Sequence, residues 1–481
     1  MTWMGFRCLL PGRVSAGSVP AMSTLDDIFK AYDVRGTVPD QLNPDLARAI
    51  GTGFATFVKE EAAGWGEVCE GVIVGRDMRP SGVELVAAFA EGVAAEGLDV
   101  LDIGLASTDM CYFAAGSLGA PAAMFTASHN PAGYNGVKFA LSGARPVGQD
   151  SGLDRIKVVA AEVLDGGRRE TSGAAGSVTN RDVLADFADH VRSLVDVGRL
   201  APLRVVADTA NGMGGLVVPA VFEPLNIDLE IMYGELDGTF PNHPADPIQP
   251  ENTEDLRRRV VEVGADIGLA FDGDADRVFL VDETGSGLSG STTTAIIAAG
   301  ILERNPGETV IHNLICSKAV PEVVREHGGT PVRTRVGHSF IKEVMAETGA
   351  IFGGEHSAHY YFRDNYRADS GLIAALVVIE QMSVKGKSLS ELRAPFERYA
   401  ASGELNTRVE QPLEVIEKVA DHYGAAGLGI DRLDGLTVDA GNWWFNLRAS
   451  NTEPLLRLNL EAADEQSCEA RVAEVRSVMA G

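Results

Sequence analysis

Short, nearly continuous apolar runs separated by helical patterns decide what this chain can fold into. The runs lie at 71–75 (GVIVG), 122–126 (AAMFT), 203–208 (LRVVAD), 267–272 (IGLAFD) and 309–313 (TVIHN). A strand that is apolar on both faces has to be covered on both faces. Helical patterns such as 84–96 and 320–327 fall between the runs. The alternation predicts α/β units built on mostly parallel strands, a class in which chemistry gathers beyond the carboxyl ends of the strands. At 481 residues the chain has room for about three to four domains of roughly 100–200 residues each. A Gly/Ser-rich stretch at 165–177 reads as a linker. Beyond about residue 400, shorter segments and a Trp443-Trp444 pair suggest a smaller α+β domain.

Composition narrows the function. With 45% hydrophobic and 23% charged residues, disordered and collagen-like architectures are excluded. No stretch approaches the ~20 apolar residues of a membrane span. Lys and Arg number 41 against 68 Asp and Glu, a net charge of −27, which disfavours nucleic acid and anionic membrane as partners. An anionic substrate then needs cations gathered locally. The five cysteines, Cys8, Cys69, Cys111, Cys316 and Cys468, are scattered and odd in number. That argues against a disulfide framework or zinc ribbon and fits a reducing cytoplasm, with the thiols buried as small apolar groups. Residues 1–23 are basic and acid-free, but their apolar run at 6–10 is broken by Arg7 and ended by Pro11. It is too short for a secretory signal and reads as a disordered extension, with Met22 a candidate start.

The segments just past the strand ends carry the chemistry. Asp272-Gly273-Asp274-Ala275-Asp276-Arg277 places carboxylates at i, i+2 and i+4 of a turn, where they can converge on one hard divalent cation. Glu283 falls at the twelfth position of an EF-hand loop, but Arg277 occupies the sixth, where that loop needs Gly, and a strand rather than a helix leads in. A guanidinium beside a metal site makes sense if a phosphate bridges both. Thr126-Ala127-Ser128-His129-Asn130-Pro131 holds an exposed turn serine, a nucleophile or an ordinary turn residue. The G-x-S-x-G elbow is absent there, and His129 suits an orienting role. After a strand-like 350–352, Gly353-Gly354-Glu355-His356-Ser357-Ala358-His359 offers donors and acceptors suited to sugar hydroxyls. Arg448-Ala449-Ser450-Asn451-Thr452-Glu453-Pro454, with Arg457, can cradle a phosphate or form a capped turn. Asn211-Gly212-Met213-Gly214-Gly215 lacks the full spacing of a dinucleotide loop.

The order of these segments is more specific than any one of them. Tyr32-Asp33-Val34-Arg35-Gly36, Gly75-Arg76-Asp77-x-Arg79-x-Ser81, TASHNP with Tyr134-Asn135-Gly136-Val137-Lys138, DGDADR, Gly337-His338-Ser339, GGEHSAH and RASNTEP succeed one another from about Leu25 to the C-terminus. The series resembles the α-D-phosphohexomutase superfamily, and most of all its bacterial phosphomannomutase/phosphoglucomutase branch. The resemblance implies an α/β protein of four domains, three similar mixed α/β domains and a smaller α+β C-terminal domain, around a central cleft. The expected divisions are a phosphoserine domain at 24–174, a metal domain at 175–286, a sugar domain at 287–399 and a phosphate domain at 400–481.

By the same resemblance Ser128 is the phosphorylated serine, and Asp272, Asp274 and Asp276 hold Mg²⁺ with it. Glu355, Ser357 and His359 bind the sugar, and Arg448, Ser450, Asn451, Thr452 and Arg457 clamp a phosphate. Lys138 and His338 are candidates for proton transfer; Arg35 and His129 join the catalytic set, and Tyr32 and Arg277 contact substrate. The expected reaction interconverts mannose 6-phosphate and mannose 1-phosphate through a hexose 1,6-bisphosphate. Glucose phosphates are the alternative or additional substrate, and a metal-dependent phosphatase and a non-catalytic sugar-phosphate binder stand as further readings. No nucleic acid or membrane partner is expected, and both monomer and dimer fit. The chain departs from the family pattern at Ala275 and Ala358, where Gly is frequent, and at His356.

Overall fold

The run GVIVG shows how the chain builds its layers. In the computed structural model, which describes residues 22–167, 174–449 and 455–480, it forms the strand Gly71–Arg76, parallel to Asp99–Leu105 on one side and Ala122–Phe125 on the other. Successive side chains of a strand point to opposite faces. Val72 and Val74 therefore enter one apolar cluster, with Phe54, Phe89 and Phe139, while Ile73 enters another, with Met110 and Met124. The helices Pro44–Gly64, Gly82–Ala95 and Asp154–Leu164 cover the first face, and Thr108–Ser117 covers the second.

Two further sheets repeat this plan on a smaller scale. In one, Leu203–Asp208 lies between Ile227–Met232 and Ile267–Phe271, both parallel to it, and Val278–Asp282 closes the edge antiparallel. In the other, Thr309–Asn313 lies between Thr330–Thr334 and Phe352–Gly354, again parallel, with Tyr360–Phe362 antiparallel at the edge. The C-terminal sheet is antiparallel throughout, in the order Ala400–Arg408, Leu455–Ala462, Trp443–Ala449, Leu436–Asp439, Gly429–Asp431.

The apolar runs named from sequence are all strands, within a residue at their ends. Two details differ. Val178–Asn180, just past the Gly/Ser-rich stretch, adds to the first sheet beside Asp99–Leu105, anchored by Val100 N–H to the Ser177 carbonyl at 2.7 Å. The strand expected at 350–352 instead runs Phe352–Gly354. There the Thr294 hydroxyl oxygen stands 2.3 Å from where a Cβ on Gly354 would be, so a glycine is what lets strand and helix meet. The expectation of a disordered extension falls mostly outside the described residues; Met22–Ile28 is helical. Cys69, Cys111, Cys316 and Cys468 are free thiols, and all but Cys69 are buried. No helix among the described residues is long and apolar enough to cross a membrane.

One apolar cluster runs continuously through the second face of the first sheet and through the next two sheets, joining Ile73, Met213, Phe271, Phe352 and Leu376. The C-terminal unit keeps a separate cluster of its own around Phe445, Leu458 and Val475. It meets the rest through polar contacts: Lys318 Nζ to Asp439 at 2.6 Å and to the Gly441 carbonyl at 3.0 Å, Lys318 N–H to Glu461, Val336 N–H to Asp434, and an Arg333–Asp431 ion pair.

Helices Pro44–Gly64 and Gly82–Ala95 cross where both carry glycine. A Cβ on Gly92 would lie 2.1 Å from the Arg48 carbonyl oxygen, and one on Gly51 2.2 Å from that of Phe89. Alanine is the better helix former by about 1 kcal/mol, but here it meets backbone that cannot yield. Gly92→Ala is therefore expected to lower stability by about 1–3 kcal/mol, read as a lower urea midpoint; a raised midpoint would show that the helices separate freely.

Candidate active site

The site forms where loops from different sheets meet. Ser128 lies three residues beyond the strand Ala122–Phe125, in a left-handed conformation with φ 48°, its N–H donating to Thr126 Oγ1. Its Oγ donates to Asp272 Oδ2 at 2.8 Å, so serine and aspartate from two sheets touch. Gly273 makes the approach possible: a Cβ there would lie 2.4 Å from the Ser128 carbonyl oxygen. His129 Nδ1 stands 3.3 Å from the same Oγ. Burial, with Arg277 and Arg35 nearby, pushes the His129 imidazole well below its ordinary pKa, so it is neutral.

Asp272, Asp274 and Asp276 are buried to within 1% of full burial, and each offers an oxygen within 4.8 Å of the others. Burying carboxylates costs unless cations and donors answer them. Arg277 answers Asp272 through Nε at 2.9 Å and its own N–H at 3.2 Å. Lys138, on the strand Tyr134–Leu141, reaches both Asp274 and Asp276 at 2.8 Å. Thr108 Oγ1 donates to Asp274 at 2.6 Å. Burial lifts the Asp272 carboxyl to about 7 despite Arg277. At Asp274 burial is overcome by Lys138 and Thr108, and the pKa falls. At Asp276 burial and the neighbouring Asp274 prevail, and it rises. Lys138 lies well above its ordinary value, because the aspartates outweigh burial. It is a fixed positive charge.

Whether this trio suits a divalent cation can be read from its free oxygens. Asp274 Oδ1 and Asp276 Oδ1 are buried with no hydrogen-bond partner among the described residues. Oxygen-only donors around a buried point fit a hard cation such as Mg²⁺, with Asp272, Asp274, Asp276 and an oxygen on Ser128 as its ligands. Asp276, His359 and Asp369 form a neighbouring group of the same compactness.

The remaining expected residues come from the first, third and C-terminal sheets. Arg35 donates to Asp33 and to Asn130 of the serine loop, both at 2.5 Å. Glu355 is buried, accepting from Asn313 Nδ2 at 3.0 Å, Tyr361 OH at 2.6 Å and Gly337 N–H at 3.4 Å. Ser357 is half-buried in the same loop. His359 Nδ1 bonds Asp369 at 2.7 Å and lies 3.7 Å from Asp276; these carboxylates overcome burial and raise it to about 9, so it carries a proton. Tyr32 OH donates to the Val336 carbonyl, Val336 N–H donates to Asp434, and Asp434 faces Arg448 at 3.6 Å, a polar path from the first sheet to the last. Arg448 and Arg457 stand opposite each other on adjacent strands. Ser450, Asn451 and Thr452 lie outside the described residues, and His338 is placed only as the first residue of the helix His338–Thr348.

Ala275 and Ala358 both have left-handed backbone, φ 60° and 66°. That conformation costs a non-glycine residue about 1–2 kcal/mol, which accounts for glycine being frequent at these positions.

The motif that contains Arg79 gives that residue no role on sequence grounds. In the structure it is fully buried, and all its donors are used: Nε on Asp77, Nη1 on the carbonyls of Pro131 and Tyr134, Nη2 on those of Ser128 and Asn130. It is the peg on which the serine loop hangs. Thr108, which also donates its N–H to the Asp274 carbonyl, and Asp369, behind His359, escape sequence reasoning as well. Asp369-Ser370-Gly371 before an apolar helix carries the signal of a helix cap, and Ser370 does cap Gly371–Lys385. Nothing in the sequence points to Thr108.

Comparison with known proteins agrees with this geometry. Family models described as phosphoglucomutase/phosphomannomutase alpha/beta/alpha domains I, II and III match residues 26–162, 185–286 and 289–399, and the C-terminal domain of that family matches 404–478. The chain belongs to the phosphoglucomutase/phosphomannomutase family. A phosphomannomutase of Escherichia coli K12 is 40% identical over 460 residues, 94% of this chain and 98% of the relative. A protein described as phosphohexose mutases, from Xanthomonas campestris, is 40% identical over 94% of this chain and 99% of its own. The crystal structure of a phosphoglucomutase/phosphomannomutase family protein of Burkholderia thailandensis superposes with a TM-score of 0.84 at 32% identity, covering 94% of this chain and 97% of that one.

These contacts set two expected outcomes. Arg79→Met leaves Asp77 buried without its counter-charge and should cost about 3–5 kcal/mol, whereas Arg79→Lys, which keeps the charge but has fewer donors, should stay folded with faster hydrogen exchange at 128–134. Unchanged exchange would remove Arg79 as the peg. Asp109, which accepts from Ser370 Oγ at 2.7 Å and from Ser107, is lifted by burial to about 7. Its unfolded value is about 3.9, so the folded state binds the proton more tightly. The stability this contributes is full below about pH 4 and is lost as pH rises through about 7. Asp109→Asn should flatten that part of a stability–pH curve.

Proposed function

We propose that this protein is a phosphomannomutase, interconverting mannose 6-phosphate and mannose 1-phosphate through a phosphorylated Ser128 and a hexose 1,6-bisphosphate. The observation that carries the reading is the Ser128 hydroxyl 2.8 Å from Asp272, within a buried trio of aspartates ringed by cations. The choice of mannose rests on the E. coli relative, 40% identical over nearly the whole chain.

Phosphoryl transfer asks for charge neutralisation, in-line placement and exclusion of water. In the first half-reaction the phosphorus–Oγ bond of phospho-Ser128 breaks as the free 1- or 6-hydroxyl oxygen of the sugar bonds to phosphorus. The sugar hydroxyl loses its proton, and Ser128 regains one, which its Oγ shares with Asp272 Oδ2. In the second half the other phosphate of the bisphosphate returns to Oγ, so nothing is consumed. Mg²⁺ held by Asp272, Asp274 and Asp276 would neutralise charge on the transferring group when bound. Lys138, locked between two aspartates, supplies fixed charge rather than a base in this arrangement. Arg35 and Arg277 add positive charge beside the serine loop. His359 holds a proton at the cleft, oriented by Asp369, and His338 is the further candidate for proton transfer.

Glu355 is fixed by three donors and keeps acceptor capacity for sugar hydroxyls, together with Ser357. Tyr32 lines the cleft, and Arg448, Ser450, Asn451, Thr452 and Arg457 form the phosphate clamp. In this reading the divisions 24–174, 175–286, 287–399 and 400–481 supply phosphoserine, metal ligands, sugar contacts and clamp.

Incubating the protein with mannose 1-phosphate, Mg²⁺ and a trace of hexose 1,6-bisphosphate should yield mannose 6-phosphate; release of inorganic phosphate instead would identify a phosphatase. Ser128→Ala should fold normally and lose roughly 10³-fold or more in turnover, and full activity in that variant would take Ser128 out of the mechanism.

A further inference from the structure

The cross-strand registers put a polar face on the C-terminal sheet. Arg448 is opposite Arg457, Asn446 is opposite Asn459, and Asn459 is opposite Glu404 on the strand Ala400–Arg408. These side chains share one face, while Leu447, Leu456, Leu458 and Leu460 point into the core. The Glu404 carboxylate divides itself between the two arginines, with Oε1 3.4 Å from Arg457 Nη1 and Oε2 3.8 Å from Arg448 Nη2. Both separations exceed the 2.7–2.9 Å of a charge-assisted hydrogen bond. Meanwhile Arg448 Nε, Arg457 Nε and Asn459 Nδ2 are buried without a partner among the described residues. Each guanidinium thus has a carboxylate nearby, Glu404 for both and Asp434 as well for Arg448, while its Nε is unmet among the described residues. Arg448 Nη1 also lies 3.6 Å from Asp434, which accepts from the N–H of Val336, the residue whose carbonyl takes the Tyr32 hydroxyl, so this face adjoins the Tyr32 side of the site.

We propose that Glu404 is a built-in counter-anion of the phosphate clamp: it holds Arg448 and Arg457 apart and facing the cleft when no substrate is present, and yields them to a phosphate dianion on binding. Phosphate capture is then an exchange of one anion for another. A clamp of bare arginines would grip more tightly. A moderate grip suits a reaction in which each end of the sugar must occupy the clamp in turn, since the bisphosphate must be let go, turned over and held again. Glu404 is a positioning residue that also limits affinity; it does not touch the reacting atoms. The inference rests on the reading of the Arg448 loop as the clamp.

Glu404→Gln keeps the shape and removes the charge. Steady-state kinetics on mannose 6-phosphate should show KM lowered about three- to tenfold, as expected for deleting one like charge beside a bound anion, with kcat lowered as release slows. Inhibition by inorganic phosphate should tighten to the same degree, with the thermal midpoint close to wild type. A KM that is unchanged or raised would overturn the proposal and leave Glu404 a scaffold residue. Arg457→Gln and Arg448→Gln, measured alongside, separate the two claims. If both leave KM unchanged, the clamp reading itself fails and the proposal falls with it. If they raise KM while Glu404→Gln does not lower it, the clamp stands and only the counter-anion is refuted.

Discussion

The structure around the cleft depends on keeping three carboxylates out of water. Asp272, Asp274 and Asp276 carry almost no exposure, and an uncompensated cluster of that kind would not stay folded. Compensation comes from elsewhere in the chain: Lys138 from the first sheet, Arg277 from the turn itself, Thr108 from a helix start, Ser128 from the serine loop. The requirement to neutralise the aspartates is therefore what brings the first two sheets together at their carboxyl ends. It also explains how a protein with net charge −27 can recognise an anion. Positive side chains are concentrated where the acidic ones are buried, and each is fixed by at least one contact before any ligand arrives.

Support for those contacts is layered. Arg79 fixes the backbone that bears Ser128, and Asp77 fixes Arg79. Asp369 fixes His359, and Lys342 stands 3.3 Å from Asp369 with its ammonium 3.6 Å from the ring centre of Tyr112. Asp77, Arg79, Lys342, Asp369 and Tyr112 are buried, and the first three units share one apolar cluster.

Much of this was legible in the sequence, and the part that was not has a physical reason. Buried strands announce themselves as apolar runs, so the sheets and the loops beyond them were visible from GVIVG, LRVVAD or TVIHN. Ser128 and the aspartates stood out because a nucleophile-like turn and an alternating acidic turn are local patterns. Arg79 reaches Ser128 across 49 residues, Thr108 reaches Asp274 across 166, and Asp369 reaches His359 across 10, and no spacing rule reports such contacts. Lys138 stood out as a candidate for proton transfer, but its place between two carboxylates, 2.8 Å from each, is a long-range contact that the sequence does not report. The positive φ at Ala275 and Ala358 is equally invisible in a string of letters, though the departure from glycine at those positions marked the place. The strand Val178–Asn180, three residues with exposed side chains, had no hydrophobic signature to find.

The C-terminal unit is bound differently from the others. Its apolar cluster is closed on itself, and it touches the neighbouring sheet through Lys318, Arg333, Val336 and their acidic partners, beside a cavity of about 600 Å³ lined by His312, Arg325, Trp444 and others. Parting such a joint wets charges rather than greases, so it carries little of the heat-capacity change that accompanies apolar exposure. Counter-ions can stand in for the lost partners, since a Debye length at physiological salt is only about 8 Å. The seating of the C-terminal unit on this joint is therefore expected to respond to ionic strength in a way that the apolar contacts among the other three units do not.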